Sequence, residues 1–281
     1  MAGKLAIDVK HRDGTSASQN VIELHRVPVD AIFEAEFKAI CMRPQQQMEI
    51  RNVYEHHVIQ LINEVSMWLG CGELSESDPK ALATSVNKSG EFGLFSLLAD
   101  TFNRDVMASY ASDQLLAMSM KDNRFNCYSS SVLLADVLSR LGKPVAVVLM
   151  PDHMLLAGNE YALDRTAHPD YEILPRKRLG QKYPYHMEIG VDKLTSVAYQ
   201  WAGMRLYNEG RFGEALELTK RTVQINPGSA GAWNFKAVLH EMLSQDAEAI
   251  KAYDRSLEIY PGFDVARDNK RSMLLAALRP G

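Results

Sequence analysis

Three side chains in the middle of the chain are of the types that together carry out acyl transfer: Cys127, His153 and Asp164. A thiol attacks a carbonyl, an imidazole takes the thiol proton and returns it to the leaving group, and a carboxylate fixes the tautomer of the ring. Asn126 is an N-cap type, so Cys127 falls in the first turn of a helix. Free N–H groups and the positive end of the helix dipole favour a thiolate there. Val145–Met150 is an apolar, valine-rich run and reads as a buried strand. His153–Ala157 and Glu160–Asp164 read as strands joined at Gly158-Asn159, a two-residue hairpin signal. That turn sets Ala157 opposite Glu160 and, working outward, His153 opposite Asp164. Facing side chains have Cβ atoms roughly 4.5–5.5 Å apart, which suits a His–Asp hydrogen bond. Spacing does not bring the helix start to His153; that juxtaposition is an added assumption.

The helix that carries Cys127 has little polar circumference. Val132, Leu133, Leu134, Val137, Leu138 and Leu141 predict burial, and Arg140, Gly142 and Pro144 mark its end. The polar loop Lys121–Arg124 leads into it and offers Asn123 as an oxyanion donor; Asn126 reads better as the cap. His168 and His186 compete with His153 as the base, but spacing gives neither a facing acid. His56 and His57 are adjacent on a helix, about 100° apart, and cannot form an i, i+4 metal pair. The chain has no H-E-x-x-H motif and no C-x-x-C pair, so metal-assisted hydrolysis is set aside and no metal or cofactor is implied.

The order Cys, helix, strand, His, strand, Asp, ending in Asp164-Arg165-Thr166, resembles the transglutaminase-like branch of the papain-like cysteine enzymes over Asp122–Thr166. The resemblance implies an α+β N-terminal domain of papain/transglutaminase-like type, with helices beside a small antiparallel sheet. It implies Cys127, His153 and Asp164 as the catalytic triad and the Cys127 backbone N–H as another oxyanion donor. It also implies a peptide or protein substrate whose amide is hydrolysed or whose acyl group passes to an amine. Hydrolysis is the favoured outcome, because no calcium loop of D-x-D-x-D-G type is present. The chain departs from the family at Tyr128, where Trp is common after the cysteine. It departs again at Met154 and Leu155, where a small residue and an aromatic are common after the histidine.

From Val191 onward the sequence is helical and repeats itself. Ala249 and Pro261 follow Ala215 and Pro227 by 34 residues, and Trp233 and Ala237 take the places of Tyr199 and Gly203. Small residues let paired helices approach, and the prolines stop each second helix. Thr195–Phe263 resembles the tetratricopeptide family. The expected organisation is a domain over 1–190, then an all-α domain over 191–281 holding two tetratricopeptide repeats and a capping helix, Asp264–Leu278. Two repeats are fewer than a free-standing array needs, so they are expected to pack on the first domain or another chain. They serve as a buttress or as a groove for a protein partner. The alternative to an enzyme is a non-catalytic scaffold that binds through this groove.

The remaining chain predicts helices at Pro28–Met42, Gln46–Leu69, Asp78 to about Val86, Phe92–Phe102 and Arg104–Met120. Residues 1–27 hold two alternating runs, read as a hairpin or an arm. The stretch after Thr166 predicts one more strand or a wrapping loop, with Arg176-Lys177-Arg178 solvated. The 281 residues are 46% hydrophobic and 23% charged, with net charge −4 and a pI of about 6.1. This composition suits a globular protein and gives no reason to expect a nucleic-acid or membrane partner. No apolar run reaches the roughly 18 residues of a membrane helix, and the first residues lack a signal-peptide core. Three well-separated cysteines argue against a disulfide framework, and a cytoplasmic location is expected.

Overall fold

A computed structural model describes residues 26–73, 79–107, 109–111, 115–150, 153–165, 171–184 and 186–277. The alternating runs before residue 26, Asp78, the Pro151-Asp152 break, Thr166 and His168 lie outside them. The described chain is mostly helical, with one five-stranded antiparallel sheet. Four helices come first: α1 Val29–Ala39, α2 Pro44–Trp68, α3 Pro79–Lys88 and α4 Glu91–Thr101. Pro44 stands at the first position of α2, where a missing N–H is no loss. A π turn, Phe102–Val106, continues α4.

The helix expected over Arg104–Met120 is not formed. After the π turn, β1, Ser109–Tyr110, pairs in parallel with β2, Arg124–Phe125, and among the described residues helix resumes only at Leu116–Asp122, as α5. Serine is a poor residue for a helix interior, and Tyr110 suits a strand pair better than a helix. The helix start is fixed from far away in the sequence. The buried Glu36 carboxylate of α1 accepts the Leu116 and Ala117 N–H groups at 3.1 and 2.7 Å.

α6, Cys127–Arg140, is buried from Cys127 to Ser139. Its end matches the expectation: Gly142 has φ +76°, and the Gly142 and Lys143 N–H groups bond back to Ser139 and Leu138. Asp136 ties α6 to α2 by accepting the Tyr54 hydroxyl at 2.9 Å and Arg140 Nε at 3.0 Å. The sheet contains β3 Ala146–Leu149, β4 Met154–Ala157, β5 Tyr161–Asp164, β6 Glu172–Pro175 and β7 Met187–Gly190, in the order β6-β5-β4-β3-β7. The stretch after Thr166 thus supplies two strands, one at each edge, with the short α7, Leu179–Lys182, between them. Lys177 and Arg178 are exposed as expected. Arg176 is instead tied to the Gly158 carbonyl and the Glu188 carboxylate.

The C-terminal part holds α8 Leu194–Asn208, α9 Phe212–Ile225, α10 Ala230–Met242, α11 Asp246–Ile259 and α12 Asp264–Ala277. α8 packs on α9 and α10 on α11. Gly203, Ala215, Ala237 and Ala249 are all buried. At Gly203 a Cβ would stand 3.3 Å from Thr219 Oγ1 and 3.5 Å from the Ala215 carbonyl oxygen, so the close approach of α8 and α9 depends on this glycine. One hydrophobic cluster spans both sides of position 190. Val191, Leu194, Val197 and Ala198 pack in the same cluster as Leu61, Leu98 and Leu133.

Candidate active site

Asn126 caps α6. Its Oδ1 accepts the Ser129 N–H at 2.9 Å, and the Ser129 hydroxyl accepts the Asn126 N–H at 3.1 Å. The reciprocal pair holds Cys127 at the first helical position, 5% exposed. A helix leaves its first amides without intrahelical acceptors, and the cap sets the thiol-bearing residue in that turn.

His153 stands just before β4, and its Nε2 is 2.9 Å from Asp164 Oδ2. The bond agrees with the expectation, but the register that makes it differs. Leu156 pairs with Leu163 and Ala157 with Ala162, and the Gly158 N–H bonds to the Tyr161 carbonyl at 2.8 Å. The turn is therefore Asn159-Glu160, not Gly158-Asn159, and Asp164 is the diagonal neighbour of His153, not its facing partner. A register change of two keeps every side chain on its face. Diagonal Cβ atoms lie roughly 7–8 Å apart, within reach of an imidazole. Gly158 lies outside the turn, with the Glu91 carboxylate against the side where its Cβ would stand. A Cβ on Gly158 would collide with the Glu91 carboxylate, 1.3 Å from Oε1, and Glu91 Oε2 accepts the Glu160 N–H at 2.9 Å.

Burial disfavours charge on His153. The hydrogen bond to Asp164 and the interaction with Cys127 outweigh it and push the imidazole up to about 10. With Nε2 engaged by Asp164, Nδ1 is the ring nitrogen left for the thiol. Asp164 is buried, and its Oδ2 also accepts the Tyr183 hydroxyl at 2.9 Å. Nothing in the irregular stretch around Tyr183 marks that residue in the sequence. Tyr110, paired with Phe125 in the β1–β2 ladder, is pushed up by burial and then by the charges of Cys127 and Asp164. The competing His186 is turned away, with Nδ1 2.8 Å from the Tyr183 carbonyl oxygen.

Asn123 is exposed, ends α5 in a left-handed conformation (φ +52°) and does not line the cleft described next. Asn123 and Gln60 favour the charged form of His57, but burial and then His56 outweigh them and lower it.

Cys127 and His153 open into a cleft of about 270 Å³. The sheet side contributes Leu149, Met150, Met154 and Met187. The other side comes from α8, through Val197, Gln200, Trp201 and Met204, and from the α9–α10 turn and the start of α10, at Ser229 and Gly231. The Trp201 ring stacks on Tyr128 at 5.6 Å and 16°, and the Tyr128 hydroxyl bonds to Glu36 at 2.7 Å. The expectation that the repeats pack on the first domain agrees with this wall, but spacing does not tell which of their residues reach the cleft. A larger depression of about 420 Å³ at Asn159–Tyr161 and Pro175–Lys177 touches none of this chemistry. Searches of family models and of curated proteins return no match for this chain.

Proposed function

We propose that the chain is a cysteine-dependent acyl-transfer protein of transglutaminase-like type that hydrolyses an amide or peptide bond, with tetratricopeptide-type helical hairpins beside the site. The observation that carries this reading is the 2.9 Å bond from His153 to Asp164 at the edge of the cleft that Cys127 enters. Cys127 is the nucleophile, His153 the proton carrier and Asp164 the group that orients the ring. An imidazolium stabilised up to about pH 10 stands ready to protonate a leaving amine, and the first-turn N–H groups of α6 face the developing oxyanion.

The test is the pH dependence of iodoacetamide alkylation at each cysteine, read by peptide mass spectrometry. Cys127 is expected to react well below pH 7, at least about tenfold faster than the exposed Cys41. His153→Ala is expected to remove that acid-side reactivity. A Cys127 that reacts only near pH 8.5, like an ordinary thiol, and is indifferent to His153→Ala rules the nucleophile out and leaves the scaffold reading.

A further inference from the structure

The residues around the thiol indicate what kind of group it serves. Four methionine thioethers, Met150, Met154, Met187 and Met204, flank the cleft, and the Trp201 indole forms a flat wall. Among the described residues, no Asp, Glu, Lys or Arg lines it. Beyond Cys127 and His153, the described lining residues add Gln200, Ser229 and the Trp201 indole N–H as polar groups. A basic side chain brought here would lose water, meet the His153 imidazolium and find no carboxylate among the described lining residues. An apolar one would gain by leaving water, and thioethers adapt to its shape. The cleft volume of about 270 Å³ falls just under the ~300–1,000 Å³ of pockets that enclose a drug-sized ligand. It suits one side chain and the bond attached to it.

We propose that this cleft recognises the acyl side of the substrate by a neutral, apolar side chain of leucine, methionine or phenylalanine type. The inference rests on the nucleophile reading above and adds the substrate class. It also makes α8 and the α9–α10 turn part of the substrate site. In the reaction, Cys127 sulfur bonds to the carbonyl carbon, the C–N bond breaks, and the thiol proton passes through His153 to the departing amine. Water then attacks the thioester, restores the thiol and releases a carboxylic acid.

Two measurements test the inference separately from the nucleophile. The first is alkylation by N-benzyl iodoacetamide and by N-(2-hydroxyethyl) iodoacetamide, with the ratio of rates at Cys127 divided by the same ratio at Cys41. That quotient is expected to be about ten or more and to fall severalfold in Trp201→Ala. A quotient near one overturns the apolar cleft even where Cys127 reacts fast with iodoacetamide, which would leave the nucleophile intact. The second is calorimetric binding to Cys127→Ser, which needs no reactive thiol. N-acetylphenylalanine amide is expected to bind at least about tenfold more tightly than N-acetylglutamine amide or N-acetyllysine amide. Equal or reversed affinities, or no binding of the phenylalanine amide at millimolar concentration, overturn the proposal.

Discussion

Asp164→Asn is expected to slow Cys127 alkylation at pH 7 by about tenfold or more, because the thiol loses the imidazolium that favours its thiolate. The Asp164 carboxylate accepts from both His153 Nε2 and Tyr183 Oη on one oxygen. An amide there loses the negative charge and can turn its NH₂ group toward two donors. Burial, which disfavours charge on His153, then prevails, and the imidazole falls from about 10. Nitrogen chemical shifts of His153 between pH 5 and 11 would read this directly. Tyr183→Phe should move the titration the opposite way, because Oδ2 then loses the donor that competes with the imidazole. The effect on stability has a definite sign. His153 binds its proton more tightly folded than unfolded, so its contribution is full below about pH 6.5 and is lost as pH rises through about 10. A titration unmoved by Asp164→Asn would mean that the carboxylate does not control the ring.

Glu36→Gln is expected to remove a pH dependence of stability worth about 3 kcal/mol. Burial raises the Glu36 carboxyl from 4.5 to about 7, although Tyr128, Ala117 and Leu116 all donate to it. The folded chain therefore holds this proton between about pH 4.5 and 7, where the unfolded chain has released it. Stability from this group is full below 4.5 and declines as pH rises to about 7. Urea midpoints of the wild type and the variant, measured across that window, should differ by an amount that changes with pH in this direction. A constant difference would show that Glu36 does not titrate there. The glutamine side chain offers one acceptor oxygen where the carboxylate has two, so one of the three donors loses its bond at about 1–3 kcal/mol. The loss reaches the cleft, because Tyr128 supports Trp201.

What can be read in the sequence is local. The cap at Asn126, the buried helix behind Cys127 and its left-handed end at Gly142 follow from residue types a few positions apart, and each is present. The bond between His153 and Asp164 is legible because strand parity tolerates the misplaced turn. What escapes depends on distant partners. Glu91 stands against Gly158, Glu36 sets the start of α5, and the α8 wall comes from beyond an expected domain boundary. Asn123 has a suitable place in a polar loop, and spacing does not tell that it ends α5 in a left-handed conformation or that it meets His57.

α8 is shared between two cores. Its first half, from Leu194 to Ala198, is packed with the N-terminal helices, while Ala202 and Leu206 are packed with α9 and α10 residues and with Ala39 of α1. A helix held on both sides cannot leave without opening both. Amide hydrogens of α8 are therefore expected to exchange only through global unfolding, with protection equal to that of α6. Those of α12, which packs on α10 and α11, should exchange through cheaper partial openings. The cleft beside Cys127 would then survive fraying at the far end of the repeats and disappear only when the whole molecule does.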